Sequence, residues 1–161
     1  MKFTKLVAAA GALSFVASAA AFAQTATQIV TFQVNAINQI SVAGAPSLTI
    51  TTAVAGSAPT SVTNNVSTWA VTTNQSTAKI TGSLSAAMPA GLTLSANLGA
   101  PAGATSAGLT ALGASAVDLV TGITKLNASG LGLTYQLDAT AAAGVIASST
   151  RTVTYTITGG V

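Results

Sequence analysis

Residues 151–158 read RTVTYTIT, and this stretch decides the fold class. Val153, Tyr155 and Ile157 share one face of an extended chain, while Thr152, Thr154, Thr156 and Thr158 share the other. Successive side chains of a strand point to opposite faces, so strict alternation of apolar and polar residues marks a half-buried β-strand. The same period recurs upstream. In Gln28 to Ala36, Val30, Phe32, Val34 and Ala36 alternate with Thr31, Gln33 and Asn35; Ile40 and Val42 extend that strand past a kink near Asn38. Leu48 and Ile50 alternate with Ser47, Thr49 and Thr51. Trp69 pairs with Val71, Ile80 with Gly82 and Leu84, Leu92 with Leu94, Ala96 and Leu98, and Leu131 with Leu133, Tyr135 and Leu137.

Turn residues separate these runs: Gly44-Ala45-Pro46, Gly56 to Pro59, Asn64-Asn65, Met88 to Gly91, Gly99 to Gly103, and Ser129-Gly130. Ser115 to Gly122 (SAVDLVTG) departs from the pattern. Ser115 followed by Asp118 resembles a capping box and Gly122 a stop, so one short helical turn is expected there. The Ala-, Gly-, Pro- and Ser-rich stretch Ala100 to Ala114 reads as loop. Seven or eight short strands in one domain, with no fixed internal period, predict an all-β, Ig-like antiparallel β-sandwich. Its core would be Val, Leu and Ile with Trp69, Tyr135, Tyr155 and a Phe.

Composition narrows the chemistry. Ala, Thr, Ser and Gly supply 92 of the 161 residues, and charged residues are 4%, against about 25% in an average globular protein. Cys, His and Glu are absent; the acids are Asp118 and Asp138, the bases Lys2, Lys5, Lys79, Lys125 and Arg151. Disulfide scaffolds, Cys/His metal sites and Ser-His-Asp triads are thereby excluded. Lys2 and Lys5 precede an uncharged run, Leu6 to Ala20, that ends in Ala21-Phe22-Ala23. A basic start, an apolar run and an A-x-A site make a secretory signal peptide. Cleavage after Ala23 is expected, leaving a single domain over 24–161 and a secreted or cell-surface protein. No second apolar run of that length follows, so no membrane span is expected in the mature chain. Its three bases are far apart in sequence, which argues against a nucleic-acid partner.

Few residues carry chemistry. Asp118 and Asp138 could form a carboxylate pair of the glycosidase kind, yet a turn cap and a strand end account for them, and neither His nor Glu supports catalysis. No enzyme, cofactor or metal site is expected; calcium would need six to eight oxygen ligands. Trp69, Tyr135 and Tyr155 could stack a sugar, but each lies on the apolar face of its strand, where core packing explains it. The three N-x-[ST] matches, at Asn65, Asn74 and Asn127, fit a Ser- and Thr-rich composition. The Thr152 to Thr158 ladder could order water, though it occupies one strand.

The surface is more informative. Soluble sheets protect their edges with Lys, Pro or inward charges. The strand Val30 to Ala36 carries no charge, and neither does the last strand beyond Arg151. Such edges invite strand addition from another chain. Gln24 to Ala36 suits a donor, with Val30, Phe32, Val34 and Ala36 as its apolar face; pairing of this strand within its own domain stays equally open.

The signal peptide, the alternating IVTFQV near the N-terminus and the closing TRTVTYTIT together resemble secreted bacterial pilin-like β-sandwiches, the chaperone–usher pilins and the spore coat protein U type. The resemblance implies a non-enzymatic structural protein of the cell surface, a filament or coat subunit associating with itself or with a related subunit. STWAVTTN followed by LTLSANL also resembles the Trp-x-Leu cell-wall-binding domains, although residue 71 is Val. That likeness implies the alternative, a module binding cell-wall or exopolysaccharide glycan through Trp69.

Overall fold

A computed structural model describes residues 23–160. The signal peptide is assigned to residues 1–23, of which 1–22 lie outside the described residues. The chain divides into two units, one ending at Gln33 and one beginning at Val34.

The second unit holds nine strands: β1 (Asn38–Ala43), β2 (Val62–Thr73), β3 (Ala78–Leu84), β4 (Leu92–Leu98), β5 (Thr105–Ser106), β6 (Thr110–Ala111), β7 (Val117–Ile123), β8 (Leu126–Ala139) and β9 (Val153–Thr158). They form two antiparallel sheets. One has five strands in the order β1-β2-β8-β4-β6; the other has four, in the order β5-β7-β3-β9. The chain is an all-β sandwich, as its alternation predicts. Setting aside the two-residue strands leaves seven long ones, the number of an Ig constant-type domain. Here β2 pairs with the sixth long strand, β8, where an Ig domain pairs its second with its fifth. The likeness to Ig domains is therefore one of architecture.

The period-two faces point inward as read. Trp69 and Val71 from β2, Ile80 and Leu84 from β3, Leu94, Ala96 and Leu98 from β4, and Leu133 and Tyr135 from β8 are buried in one core. Trp69 donates from Nε1 to the carbonyl of Gly99 at 3.2 Å, so the indole leaves no orphaned donor. The Tyr155 hydroxyl donates to the Tyr135 hydroxyl at 2.7 Å. That bond joins β9 of one sheet to β8 of the other.

Several expectations are corrected. SAVDLVTG forms no helical turn; Val117–Ile123 is strand β7. Leu119, Val120 and Ile123 are buried there, and Asp118 binds Lys79 Nζ at 2.9 Å instead of capping a turn. Among the described residues the helical turn is a 3-10 one at Ala141–Ala143. The stretch 100–114 contains β5 and β6, and Leu112 within it is buried. Ser129-Gly130 and Asn64-Asn65 are bulges inside long strands. At Gly130, with φ of +66°, the β2–β8 register slips by one residue, a conformation glycine adopts without strain. At Asn64 the side-chain carbonyl accepts the Val66 N–H at 3.1 Å. Leu48 and Ile50 alternate inward as read but join no ladder.

The first strand also shifts. Residues 23–37 belong to no strand, and pairing begins at Asn38. A side-chain clasp explains that start. Asn38 donates to Gln75 Oε1 at 3.0 Å and accepts from Thr73 Oγ1 at 2.7 Å. Asn74 accepts the Ile37 N–H at 2.8 Å and donates to the Asn35 carbonyl at 2.7 Å. β1 then runs antiparallel to the second half of β2, from Asn38↔Thr73 to Ala43↔Thr68.

Candidate functional site

Two features stand out against the closed part of the sandwich. The first is the N-terminal arm. Val30, Phe32 and Val34 are 72%, 89% and 78% exposed, and Ala36 is exposed as well. Phe32 is the one phenylalanine downstream of residue 23, and it takes no place in the core where a Phe was expected. Transferring a Val or Phe side chain from water to an apolar site is worth about 1.5–3 kcal/mol. Several such side chains alternating along an uncharged segment make an apolar stripe of the kind that marks an interaction surface.

The second is a groove at one end of the sandwich, with a volume of about 1090 Å³. β1 ends at Ala43, so the first half of β2, Val62 to Ser67, lacks a ladder partner on the side away from β8. Gly44 turns the chain there at φ +112°, packed against Ser67 so closely that a Cβ would sit 2.8 Å from its Cα. Residues 46–53 then continue as irregular chain, tied by Asn64 Nδ2 to the Ser47 carbonyl at 3.2 Å. Leu92 and Leu94 of β4 and Tyr135 and Leu137 of β8 line the groove together with this segment, the connection 139–151, and Val153 and Tyr155 of β9. Ordinary small-molecule pockets run to roughly 300–1,000 Å³, so the groove is large enough for a peptide. Its charged lining residue is Arg151, whose Nε and Nη1 donate to the carbonyls of Ala87 and Thr150.

Free edges flank both sheets. β9 is the last strand of the four-stranded sheet and pairs only with β3 among the described residues. Its outward threonines Thr154, Thr156 and Thr158 stand opposite Ser83, Thr81 and Lys79. The hydroxyl face read along one strand thus spans two.

The other candidates separate. Trp69 is 1% exposed; a sugar ring cannot stack on it in this fold, so the glycan contact is withdrawn. Asp118 lies on β7 of one sheet and Asp138 on β8 of the other. Asp118 pairs with Lys79, whereas Asp138 accepts from Ser61 Oγ and from Gln136 Nε2. They do not form a pair. Among the described residues no cluster of three His, Cys, Asp or Glu could hold a metal, and no helix is long and apolar enough to cross a membrane. Burial raises the pKa of both tyrosines above the ordinary phenol range. For Tyr155 the hydrogen bond it donates to Tyr135 adds to that shift, while for Tyr135 the same bond opposes it.

Comparisons with models of protein families, with curated proteins and with solved structures find no match to this chain. The arm and the groove are therefore interpreted on their own chemistry. The alternation of Val30 to Ala36 is legible in the sequence, where it reads as a strand; its exposure outside any strand is not. Nor does the sequence carry a direct sign of the groove, which arises because β1 stops halfway along β2.

Proposed function

We propose that this protein is a secreted, non-enzymatic structural subunit of the bacterial cell surface, a pilin-like filament or coat component. It enters the secretory route through a signal peptide cleaved after Ala23 and assembles by strand addition. Residues 24–36 are the donor, and Val30, Phe32, Val34 and Ala36 form the face that a neighbouring copy covers. The reading is carried by the exposure of that face on a segment that belongs to no strand. Strand addition gives affinity through main-chain hydrogen bonds and specificity through pockets for alternate side chains; the arm supplies the alternation and the free sheet edges supply the template. A charge-poor surface fits the same role, because a subunit that lives in an assembly has little need of charges that keep monomers apart.

Negative-stain electron microscopy of the mature chain, beside a chain lacking residues 24–36, tests this. Regular fibres or sheets from the first and none from the second are expected. Monodisperse particles from both would overturn the reading.

A further inference from the structure

We infer that the apolar groove, with the Arg151 guanidinium in its lining, is a binding site for a long-chain fatty acid, its carboxylate on Arg151 and its acyl chain along the inward face of β9. The inference goes beyond the strand-addition reading and does not rest on it.

Charge singles out the occupant. Arg151 is the one charged residue lining the groove, and no acid lines it. Among the described residues the ion pair is Lys79 with Asp118. Asp138, next in sequence to the lining residue Leu137, is taken up by Ser61 Oγ and Gln136 Nε2. Arg151 is half-buried. The carbonyls of Ala87 and Thr150 hold its Nε and Nη1 at 3.2 and 2.8 Å and so fix the plane of the guanidinium. A guanidinium carries five N–H donors; two are used here, so both donors of Nη2 stay open. A fixed cation with open donors and no counter-ion is half of a charge-assisted hydrogen bond. A carboxylate supplies the single negative charge that matches it. A phosphate monoester carries about −1.5 to −2 at neutral pH, more than one guanidinium balances.

The rest of the groove suits an apolar tail. Arg151 continues the inward period of β9: Arg151, Val153 and Tyr155 are half-buried, whereas Thr152 and Thr154 are exposed. Four residues separate Arg151 from Tyr155, about 13 Å of extended chain. Leu48, Ile50, Leu92 and Leu137 line the same space and are only half-buried. Val42 and Val145, also in the lining, are exposed. Apolar surface left open to water in one contiguous patch marks a binding site. An acyl chain needs no hydrogen-bond partner along its length, so one fixed donor group at one end is enough to orient it. The volume of about 1090 Å³ accommodates such an elongated ligand.

Isothermal titration calorimetry of the mature chain with oleate, below its micelle concentration, tests the inference. Saturable binding of a single oleate per chain is expected. Arg151→Gln should weaken it by at least about tenfold, the loss that removing a charged hydrogen-bond partner produces, and Arg151→Lys should restore most of it. Oleyl alcohol, with the same tail and no charge, should bind the unmodified chain and Arg151→Gln alike. Ile50→Ser, on the groove's irregular wall, leaves Arg151 in place and should weaken oleate and oleyl alcohol together. Lys125→Gln, a cation outside the groove, should change neither. No saturable binding by the unmodified chain would overturn the site. Oleate bound equally by the unmodified chain and by folded Arg151→Gln would overturn the placing of the carboxylate. Lysophosphatidic acid bound at least about tenfold more tightly than oleate would overturn the fatty-acid assignment. Fibre formation is read separately and bears on strand addition alone.

Discussion

Residues 30–34 and 153–157 each set three large apolar side chains on one face of an extended chain. One triplet is Val30, Phe32 and Val34; the other is Val153, Tyr155 and Ile157. The second pairs residue by residue with β3, from Val153↔Leu84 to Thr158↔Lys79, and its apolar face packs against the core. The first belongs to no strand and leaves its face in solvent. Alternation therefore specifies how a segment can be buried and is silent on whether its own domain has room for it. In this sandwich β1 takes the edge beside β2, and its register is locked by the Asn38, Thr73 and Gln75 contacts at one end. The arm joins no ladder among the described residues and keeps its apolar face exposed.

That contrast is broken most sharply by paired truncations. Leu133 is fully buried on β8, and Leu133→Ala should cost about 2–5 kcal/mol, the range for emptying a packed core site. Phe32→Ala should leave monomer stability within about 0.5 kcal/mol while abolishing assembly. Urea denaturation monitored by Trp69 fluorescence measures the first effect, and fibre counts measure the second. A Phe32→Ala chain that loses several kcal/mol as a monomer would place the arm inside its own sandwich.

The tyrosine pair sharpens the same comparison at the seam where the groove meets the core. Both phenols are held neutral by burial, and Tyr155 also by the hydrogen bond it donates. In the unfolded chain they ionise near pH 10, so above that pH the unfolded state binds fewer protons than the folded one. Stability that is fully present below pH 10 should then fall as pH rises. The chain has two tyrosines, so phenolate absorbance should rise together with the unfolding signal rather than ahead of it. Tyr155→Phe should cost about 1 kcal/mol at neutral pH, since Tyr135 loses its donor. Phenolate that appears in a chain still fully folded at pH 10 would separate the two sheets at this point.

What the sequence made legible follows from local chemistry. Six of the nine strands reveal themselves by period two or lie inside such runs, because each has one face in the core; β5 and β6 lie in the stretch 100–114 that reads as loop. β7 did not: Ser115 and Asp118 imitate a helix start, and only the ladders to β3 and β5 override it. The bulges at Asn64 and Gly130 looked like turns because a residue that permits a turn also permits a bulge. For the site, the alternating apolar face was readable in Val30 to Ala36, but its exposure was not. The groove was not, since it depends on where β1 ends, a matter of tertiary pairing. Trp69 shows the opposite case: its aromatic chemistry suggested a sugar platform, and its place on an inward face removed it from the surface.

Smaller effects belong to polar groups at the periphery of this division. Lys79 and Asp118 pair at 2.9 Å with both side chains close to half exposed. Removing either should change stability by no more than about 1 kcal/mol, an effect that vanishes in high salt. Ser67 is the more discriminating case. It is buried beneath the Gly44 turn, at the point where β1 leaves β2 and the groove begins. Its hydroxyl has no hydrogen-bond partner among the described residues. A buried polar atom without a partner costs about 1–3 kcal/mol of lost solvation, and deleting that one oxygen leaves a void smaller than a methyl group. Ser67→Ala should therefore be neutral or stabilising in a urea melt of the arm-truncated monomer. A loss of 1 kcal/mol or more would mean that the hydroxyl is in use, as a water-held link between the turn and the groove wall. The boundary between the closed and open halves of the sandwich would then be set by Ser67 rather than by the backbone of Gly44.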